Sequence, residues 1–205
     1  MNIELWLAFV ATSAALLAIP GPVVMVLFGY TMGYGRAVAV AAIPGVVLGD
    51  FVAMTISLLG AGALLQASAT LFMGLKLAGA AYLVWLGVQI WRSDVKPVAV
   101  SEVPTGQRKL TVFRDTFLVT ALNPKDIVFF VAFLPQFIVT EHPALPQILI
   151  IEATFLGLVV ISTSIWILLS GTFISRLQDT KKLKFVNRIG ASCLVGAGAL
   201  TALSR

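Results

Sequence analysis

Six long apolar segments separated by short polar gaps constrain this chain more than any other feature of its sequence. They cover about residues 5–29, 38–64, 71–91, 113–138, 147–171 and 185–203. An α-helix needs about 20 mainly apolar residues to cross a bilayer, and it satisfies its backbone hydrogen bonds internally, as lipid requires. The sequence therefore predicts an all-α integral membrane protein with six transmembrane helices in a single transmembrane domain, residues 1–205.

The composition argues against several other classes of protein. Charged residues make up only 11% of the 205 residues, whereas a soluble domain carries roughly 25%. The net charge of +5 does not indicate nucleic acid, because the basic residues lie mostly in the gaps between apolar segments. Cys193 and His142 are the single cysteine and the single histidine, so one chain cannot build a paired-thiol redox site or a multi-histidine metal centre. We therefore predict a carrier of small solutes without a cofactor, and not an enzyme.

The basic residues also predict the orientation, because cytoplasmic loops are enriched in lysine and arginine. The gaps after the first, third and fifth segments, with the adjoining helix ends, contain most of them: Arg36; Arg92, Lys96, Arg108, Lys109 and Arg114; Arg176, Lys181, Lys182, Lys184 and Arg188. The opposite side has only Lys76 and Arg205. We expect both termini to lie outside, with the basic gaps in the cytoplasm.

Two segments contain helix-breaking prolines at matching places. Pro20-Gly21-Pro22 interrupts the first segment and Asn123-Pro124 interrupts the fourth. Proline inside a helix removes a hydrogen bond and clashes with the preceding turn, at a cost of about 3 kcal/mol or more. Matching interruptions in two halves are typical of transporters whose binding site lies between inverted repeats. We predict two inverted three-helix repeats, about 5–91 and 113–203, joined by a cytoplasmic loop at about 92–112; two ordinary proline kinks are the alternative.

Each helix that restarts after a break would present unpaired N–H groups and the positive end of its dipole to the middle of the membrane. Gly21 and Pro22 would occupy the cap and the first position of one such helix, and Asn123 and Pro124 those of the other. The two helix ends together predict a binding site for an anion.

Lys125 and Asp126 follow the second cap. Asp126 is three residues after Asn123, where a carboxylate can return a hydrogen bond to the cap N–H, which would be a structural role. A lysine near the positive end of a half-helix is unfavourable until an anion arrives. Lys125 therefore indicates contact with a substrate carboxylate, and a structural ion pair with Asp50 or Asp126 is the alternative.

Asp50 is a further charge inside an apolar segment. It follows Gly45 and Gly49, which allow a neighbouring helix to approach closely and so favour an inward orientation for this face. Asp50 is a candidate counter-charge for a substrate ammonium and a candidate proton carrier. A buried partnership with Lys125 or Lys76 is the alternative.

Other polar and aromatic residues are weaker candidates. Tyr82 would line a cavity or anchor its helix at the membrane interface. Ser162, Thr163 and Ser164 would line a cavity or bond to their own helix. Glu152 lies near one end of its segment, where we expect an interfacial position.

Together these residues resemble the LysE/RhtB family of bacterial amino-acid exporters. The matching stretches are Pro20-Gly21-Pro22; Gly45, Gly49 and Asp50; Lys76, Gly79, Tyr82, Leu83, Leu86 and Gly87; and Ala121-Leu122-Asn123-Pro124-Lys125-Asp126 with Phe129, Phe130, Phe133 and Leu134-Pro135-Gln136-Phe137. The resemblance covers nearly the whole chain in order and is weakest in the 92–112 loop and the last two segments. It implies a homoserine-, threonine- or leucine-type exporter in the bacterial inner membrane that moves an amino acid or close derivative against proton entry.

The leading hypothesis is therefore a secondary amino-acid exporter with the bilayer, protons and a small-molecule substrate as its partners. The substrate carboxylate would lie against the two breaks and Lys125, and the ammonium against Asp50, which would also carry the coupling proton. The alternative is a membrane transporter of a metal or other small ion, to which Asp50 and Asp126 would supply at most two oxygen ligands. Glycine-rich helix faces also leave a homo-oligomer open.

Overall fold

The structure, a computed structural model, describes residues 3–92, 109–139 and 142–177, with residues 184–185, 188–189, 191–192, 195–196, 198–199 and 202. Its elements are α1 (Ile3–Ala18), α2 (Pro22–Tyr34), α3 (Arg36–Ala39), α4 (Ala42–Ala67), α5 (Ala69–Arg92), α6 (Lys109–Ala121), α7 (Pro124–Phe133), a 3-10 turn (Leu134–Phe137) and α8 (Ala144–Leu177). The described part contains helices and no strand, which confirms the predicted all-α class.

Two helical stretches are long and apolar enough to cross a membrane. They are Arg36–Gly60 and Ala144–Ser170, and the number rises to four if each of two bent helix pairs counts as one span. Helix α5 covers the predicted third segment. The predicted loop at 92–112 lies mostly outside the described residues, as does much of the sixth segment, including Cys193. The count of six spans and the inverted repeat stay predictions.

Both predicted helix breaks are confirmed. Helix α1 ends at Ala18 and α2 begins at Pro22, and their axes meet at 53°. Gly21 caps α2 in an extended conformation, with φ −132° and ψ −167°. Helices α6 and α7 meet at 48° around Asn123, with Pro124 at the start of α7. Each proline occupies the first turn of a new helix, where its missing N–H costs nothing.

The glycine face of α4 packs against α6, as the sequence predicts. A Cβ built on Gly49 would lie 2.8 Å from Thr120 Cβ and 2.9 Å from the Phe117 carbonyl oxygen. A Cβ built on Gly45 would overlap Thr116 and the Phe113 carbonyl. This close approach fixes the position of Asp50, one residue after Gly49, relative to the end of α6.

One end of the molecule is closed by six phenylalanine rings, called here the aromatic cluster: Phe9, Phe129, Phe130, Phe133, Phe137 and Phe155. Ring centroids lie 5.2 Å apart for Phe9 and Phe137 and 5.0 Å apart for Phe130 and Phe155. The cluster joins the first half of α1 to α7, the 3-10 turn and the first half of α8.

The opposite end is closed by polar links between helices. The Tyr30 hydroxyl on α2 donates to Asp115 on α6 at 2.6 Å. Arg36, which follows the sharp backbone turn at Gly35 (φ 79°), donates from Nη2 to the Leu168 carbonyl on α8 at 2.8 Å. These bonds connect the first part of the chain to the second.

Candidate functional site

A cavity of about 40 Å³ lies where the two broken helices meet. Seven residues singled out from the sequence line it: Gly21, Asp50, Asn123, Lys125, Asp126, Ser162 and Thr163. The rest of its wall comes from α1, α2, α4 and α8 and the first break: Leu17, Ile19, Val23, Val24, Leu27, Val46, Val159 and Trp166. The prolines at 20, 22 and 124 shape the breaks but are not part of the lining. The structure therefore brings together residues separated by more than a hundred positions.

The start of α7 is fully capped. The Asn123 side-chain oxygen accepts from Lys125 N at 3.2 Å, and the Asn123 carbonyl accepts from the N–H groups of Asp126 and Ile127. Asn123 also donates from Nδ2 to Asp126 Oδ2 at 2.6 Å. The asparagine thus holds the helix start and one carboxylate oxygen in fixed positions.

The predicted bond from the Asp126 carboxylate to the Asn123 backbone N–H is wrong. That N–H donates to the Thr120 carbonyl at 3.0 Å, because the last turn of α6 continues to the cap. The carboxylate instead bonds the side chain of the cap. Its other oxygen, Oδ1, is 3.8 Å from Lys125 Nζ.

Lys125 is stabilised by the end of another helix. Its Nζ donates to the Leu16 carbonyl at 3.3 Å, in the last turn of α1. The C-terminal end of a helix carries partial negative charge and leaves carbonyl groups unpaired. The C-terminal end of α1 therefore stabilises the Lys125 ammonium, which the nearby N-terminal end of α7 would repel. The sequence did not predict this contact.

The next carbonyl of α1 has two donors from α8. Ser162 Oγ and Trp166 Nε1 both donate to the Leu17 carbonyl at 3.3 Å. Ser162 was a candidate from the sequence, whereas Trp166 was missed. The signal for Trp166 was its spacing of four residues from Ser162, which places both on one helix face. Ser164 bonds its own helix at Val160, as one alternative held.

The start of α2 is the less satisfied of the two helix ends. Gly21 provides no side-chain cap, and Pro22 has no N–H. The first N–H groups of a helix lack partners within the helix, and Val23 and Val24, which carry them here, both line the cavity. A Cβ on Gly21 would lie 3.5 Å from Lys125 Nζ. The sequence predicted unpaired N–H groups at the start of both α2 and α7. Only α2 has them, and they lie next to the Lys125 ammonium.

Asp50 forms the opposite side of the cavity. Its side chain is 2% exposed, and its Oδ1 has no hydrogen-bond donor among the described residues. Within that same part of the chain no ion pair joins Asp50 to Lys125, whose carboxylate partner is Asp126. The side chain of Lys76 lies outside the described residues. Asp50 is therefore a buried acceptor facing a small cavity whose wall is mostly apolar.

Two further candidates lie outside the cavity lining. Tyr82 lies on α5 with its ring 5.5 Å from that of Trp85, so a lining role is not supported and a role as interface anchor stays a prediction. Glu152 is buried and accepts a hydrogen bond at 2.7 Å from Thr55 on α4, and its interfacial position stays a prediction. In the described residues, no group of three or more Asp, Glu, His or Cys side chains converges as a metal ion would require.

Comparison with known proteins gives matches over the full length. Residues 5–205 match the family described as LysE type translocator. The chain is 32% identical over 205 residues to the homoserine/homoserine lactone efflux protein of Salmonella typhimurium, covering 100% of this chain and 99% of that protein. It is 29% identical over 174 residues to the leucine efflux protein of Enterobacter sp., covering 85% and 82% respectively. An uncharacterized membrane protein of Vibrio cholerae is 30% identical over 205 residues, covering 100% of both chains. No solved structure gives a significant match.

Proposed function

This chain belongs to the LysE type translocator family, and from that membership we propose that it is a secondary transporter that exports a neutral amino acid or a close derivative across the bacterial inner membrane in exchange for protons. The family description is that of a translocator, which supports transport as the activity of this chain. The relatives named for efflux of homoserine and of leucine support an amino-acid cargo with an uncharged side chain.

The cavity between the two helix breaks carries this proposal, because it offers complementary groups for both ends of a zwitterion. The cargo carboxylate binds the Lys125 ammonium and the open N–H groups at the start of α2. The cargo ammonium binds the Asp50 carboxylate on the facing wall. The aliphatic part of the lining, with Val24, Leu27 and Val46, surrounds the cargo side chain.

The cavity must expand for the cargo to enter. A volume of about 40 Å³ holds about three water molecules and is too small for an amino acid. We take the structure as a closed form, in which the aromatic cluster seals one end and the Tyr30–Asp115 link the other. Opening then alternates between the two ends as the halves of the single domain, residues 1–205, rock around the site.

The orientation follows from the charges at the polar end. Arg36, Lys109 and Arg114 lie on the elements near the Tyr30–Asp115 link, and basic residues favour the cytoplasmic side. We therefore propose that the aromatic cluster and both termini lie on the outer side. The proposal keeps the predicted arrangement of six spans in two inverted repeats, about 5–91 and 113–203.

Asp50 is the proposed coupling group. A buried carboxylate without a donor is costly in a membrane unless it binds a proton or a cation. The proton and the cargo ammonium therefore occupy Asp50 in turn, which links export of the cargo to entry of the proton.

Exchange of labelled homoserine or leucine in reconstituted vesicles tests the site. Replacing Lys125 by methionine removes one charged hydrogen bond to the cargo, worth about 1.5–3 kcal/mol, so the apparent affinity falls about tenfold or more. The matched control is Lys109→Met, which removes an exposed lysine at the start of α6. Equal affinities for the two variants would contradict the binding mode, and absence of exchange in the wild type would contradict the function.

A further inference from the structure

Glu152 is a buried acid that the proposed binding mode does not use. Its side chain, 8% exposed, lies in the first half of α8 and accepts a hydrogen bond from Thr55 Oγ1 at 2.7 Å. In the described part of the chain it has no ion pair with a lysine, arginine or histidine. Ionisable residues are rare within membrane spans and usually serve a pathway for ions or protons.

The position of Glu152 is on the outer side of the cavity, at the level of the aromatic cluster. It precedes the cavity residue Val159 by seven positions, or about 10 Å along α8. Its partner Thr55 follows Asp50 by five positions, or about 7.5 Å along α4. Phe155, one turn from Glu152, packs against the cluster with its ring 5.0 Å from that of Phe130. Glu152 is thus hydrogen-bonded to the helix that carries Asp50, at the level of the aromatic cluster.

The surrounding charges leave Glu152 as the acid at this level. The titratable and charged groups on the elements packed against α8 are Glu4 on α1, Tyr30 and Tyr34 on α2, Arg36 on α3 and Asp50 on α4, with Lys125 and Asp126 across the cavity on α7. Glu4 is exposed in the first turn of α1, and Tyr30 and Arg36 are engaged at the opposite end. His142, which precedes α8, is exposed.

A buried hydroxyl group lies on α1, which packs against the helix that carries Glu152. Ser13 on α1 is fully buried, four residues before Leu17 in the cavity wall, and its Oγ has no hydrogen-bond partner among the described residues. A hydroxyl both donates and accepts, so it can pass a proton between neighbours.

We propose that Glu152 takes up the coupling proton from the outer side and passes it to Asp50. The Glu152 carboxylate binds a proton when the outer end opens. Its O–H bond then breaks, the proton passes through hydroxyl groups and water admitted when the outer end opens, and an O–H bond forms on Asp50. This leaves Glu152 ionised again, and Asp50 releases the proton to the cytoplasm when the cargo ammonium replaces it. This inference rests on the proposed proton-coupled export, and it assigns Glu152 to the proton route alone.

Two assays on reconstituted full-length protein separate the proton step from the cargo step. The first measures exchange of labelled against unlabelled homoserine at equal pH on both sides, which needs no net proton movement. The second measures homoserine transport driven by a pH gradient. In Glu152→Gln, we expect exchange to stay within about twofold of the wild type and gradient-driven transport to fall about tenfold or more.

The glutamine variant distinguishes a proton carrier from a structural acceptor. Its side-chain oxygen can still accept from Thr55, so a structural role leaves both assays unchanged. The matched control is Glu4→Gln, which neutralises an exposed acid on the same side and is expected to leave both assays at the wild-type level.

Each other outcome contradicts a stated part of the reasoning. Wild-type gradient-driven transport in Glu152→Gln overturns the proton route, as does loss of both assays together, which would place Glu152 in the cargo step. Absence of exchange in the wild type overturns the proposed function itself. If the glutamine variant does not fold, Glu152→Asp keeps an acid at a shorter reach and is expected to slow gradient-driven transport alone; an unchanged rate overturns the route.

Discussion

The contact between α4 and α6 gives the most quantitative prediction, for the substitution Gly49→Ala. The added Cβ would lie 2.8 Å from Thr120 Cβ, 2.9 Å from the Phe117 carbonyl oxygen and 3.1 Å from Ala121 N. Carbon atoms in contact prefer separations of about 3.5–4.0 Å. The two helices must therefore separate by about 1 Å, because two of these three neighbours are backbone atoms that cannot rotate away.

The cost of this overlap follows from packing. Inserting a methyl group into a well-packed contact costs about 1–3 kcal/mol. Alanine is also a better helix former than glycine by about 0.5–1 kcal/mol, which offsets part of the loss. A second substitution in the same helix removes this offset, because Gly60→Ala gains the same propensity and has no neighbour within 4 Å of its Cβ. We expect Gly49→Ala to be less stable than Gly60→Ala by about 1–3 kcal/mol.

The free energy of unfolding in mixed micelles measures this difference, and vesicle exchange measures its consequence for transport. Asp50 follows Gly49, and Thr120 precedes the cap Asn123 by less than one turn. Separation of the helices therefore moves two walls of the cavity, and transport falls in Gly49→Ala while Gly60→Ala transports normally. Equal stability of the two variants would refute the close contact and with it the fixed position of Asp50.

Three further substitutions test other bonds of the site. Asn123→Ala removes the cap of α7 and is expected to lower the free energy of unfolding by about 1–2 kcal/mol, measured in the same micelles. Tyr30→Phe removes the hydroxyl that donates to Asp115 at 2.6 Å. A hydrogen bond to a charged group contributes about 1.5–3 kcal/mol, so its loss favours opening of this end of the molecule. A cysteine introduced into the cavity by Thr163→Cys should then be labelled about tenfold faster from the cytoplasmic side. Trp166→Phe removes one of two donors at the end of α1 and is expected to cost about 1 kcal/mol in the same unfolding measurement.

Each of these substitutions has a control. Asn123→Asp keeps a capping oxygen and should lose less stability than the alanine variant. Tyr82→Phe removes a hydroxyl far from the cavity and should not change the labelling rate, which is measured with Cys193 replaced by alanine so that one thiol is present. Unfolding of Trp166→Phe at the wild-type free energy would show that the Ser162 bond alone satisfies the Leu17 carbonyl.

The helix breaks and the glycine contact could be predicted because their causes are local. Pro22 and Pro124 cannot continue a preceding helix, whatever surrounds them. The pair Gly45 and Gly49 marks one face of α4 by spacing alone. These signals were sufficient to place Gly21, Asn123, Lys125 and Asp126 near one another, with Asp50 opposite.

The bonds that hold the site together could not be predicted because they join distant parts of the chain. The Leu16 carbonyl accepts from Lys125, 109 positions later, and no periodicity in the sequence specifies which cation reaches a given helix end. In the sequence, Trp166 is one apolar residue within a long apolar segment. Its hydrogen bond to the Leu17 carbonyl could not be predicted without knowing that α8 lies beside the end of α1.

The direction in which a side chain leaves its helix could not be predicted either. For Tyr82 the sequence left a cavity lining and an interface anchor open, and for Glu152 it indicated only a position near a helix end, because burial depends on which neighbour covers each face. Helix α4 covers Glu152 through Thr55, whereas the Tyr82 face of α5 turns away from the cavity. A sequence fixes the depth of a residue along its helix more closely than its direction around the axis.

In the proposed binding mode, the bond from Lys125 to the Leu16 carbonyl gives this lysine two roles, in binding the cargo and in holding the end of α1. Any carboxylate that captures the ammonium competes directly with the last turn of α1. Cargo binding would then weaken the hydrogen bond between Lys125 and the end of α1, whereas the transporter without cargo keeps it. This arrangement would slow conformational change in the absence of both cargo and proton, and so would limit dissipation of the proton gradient.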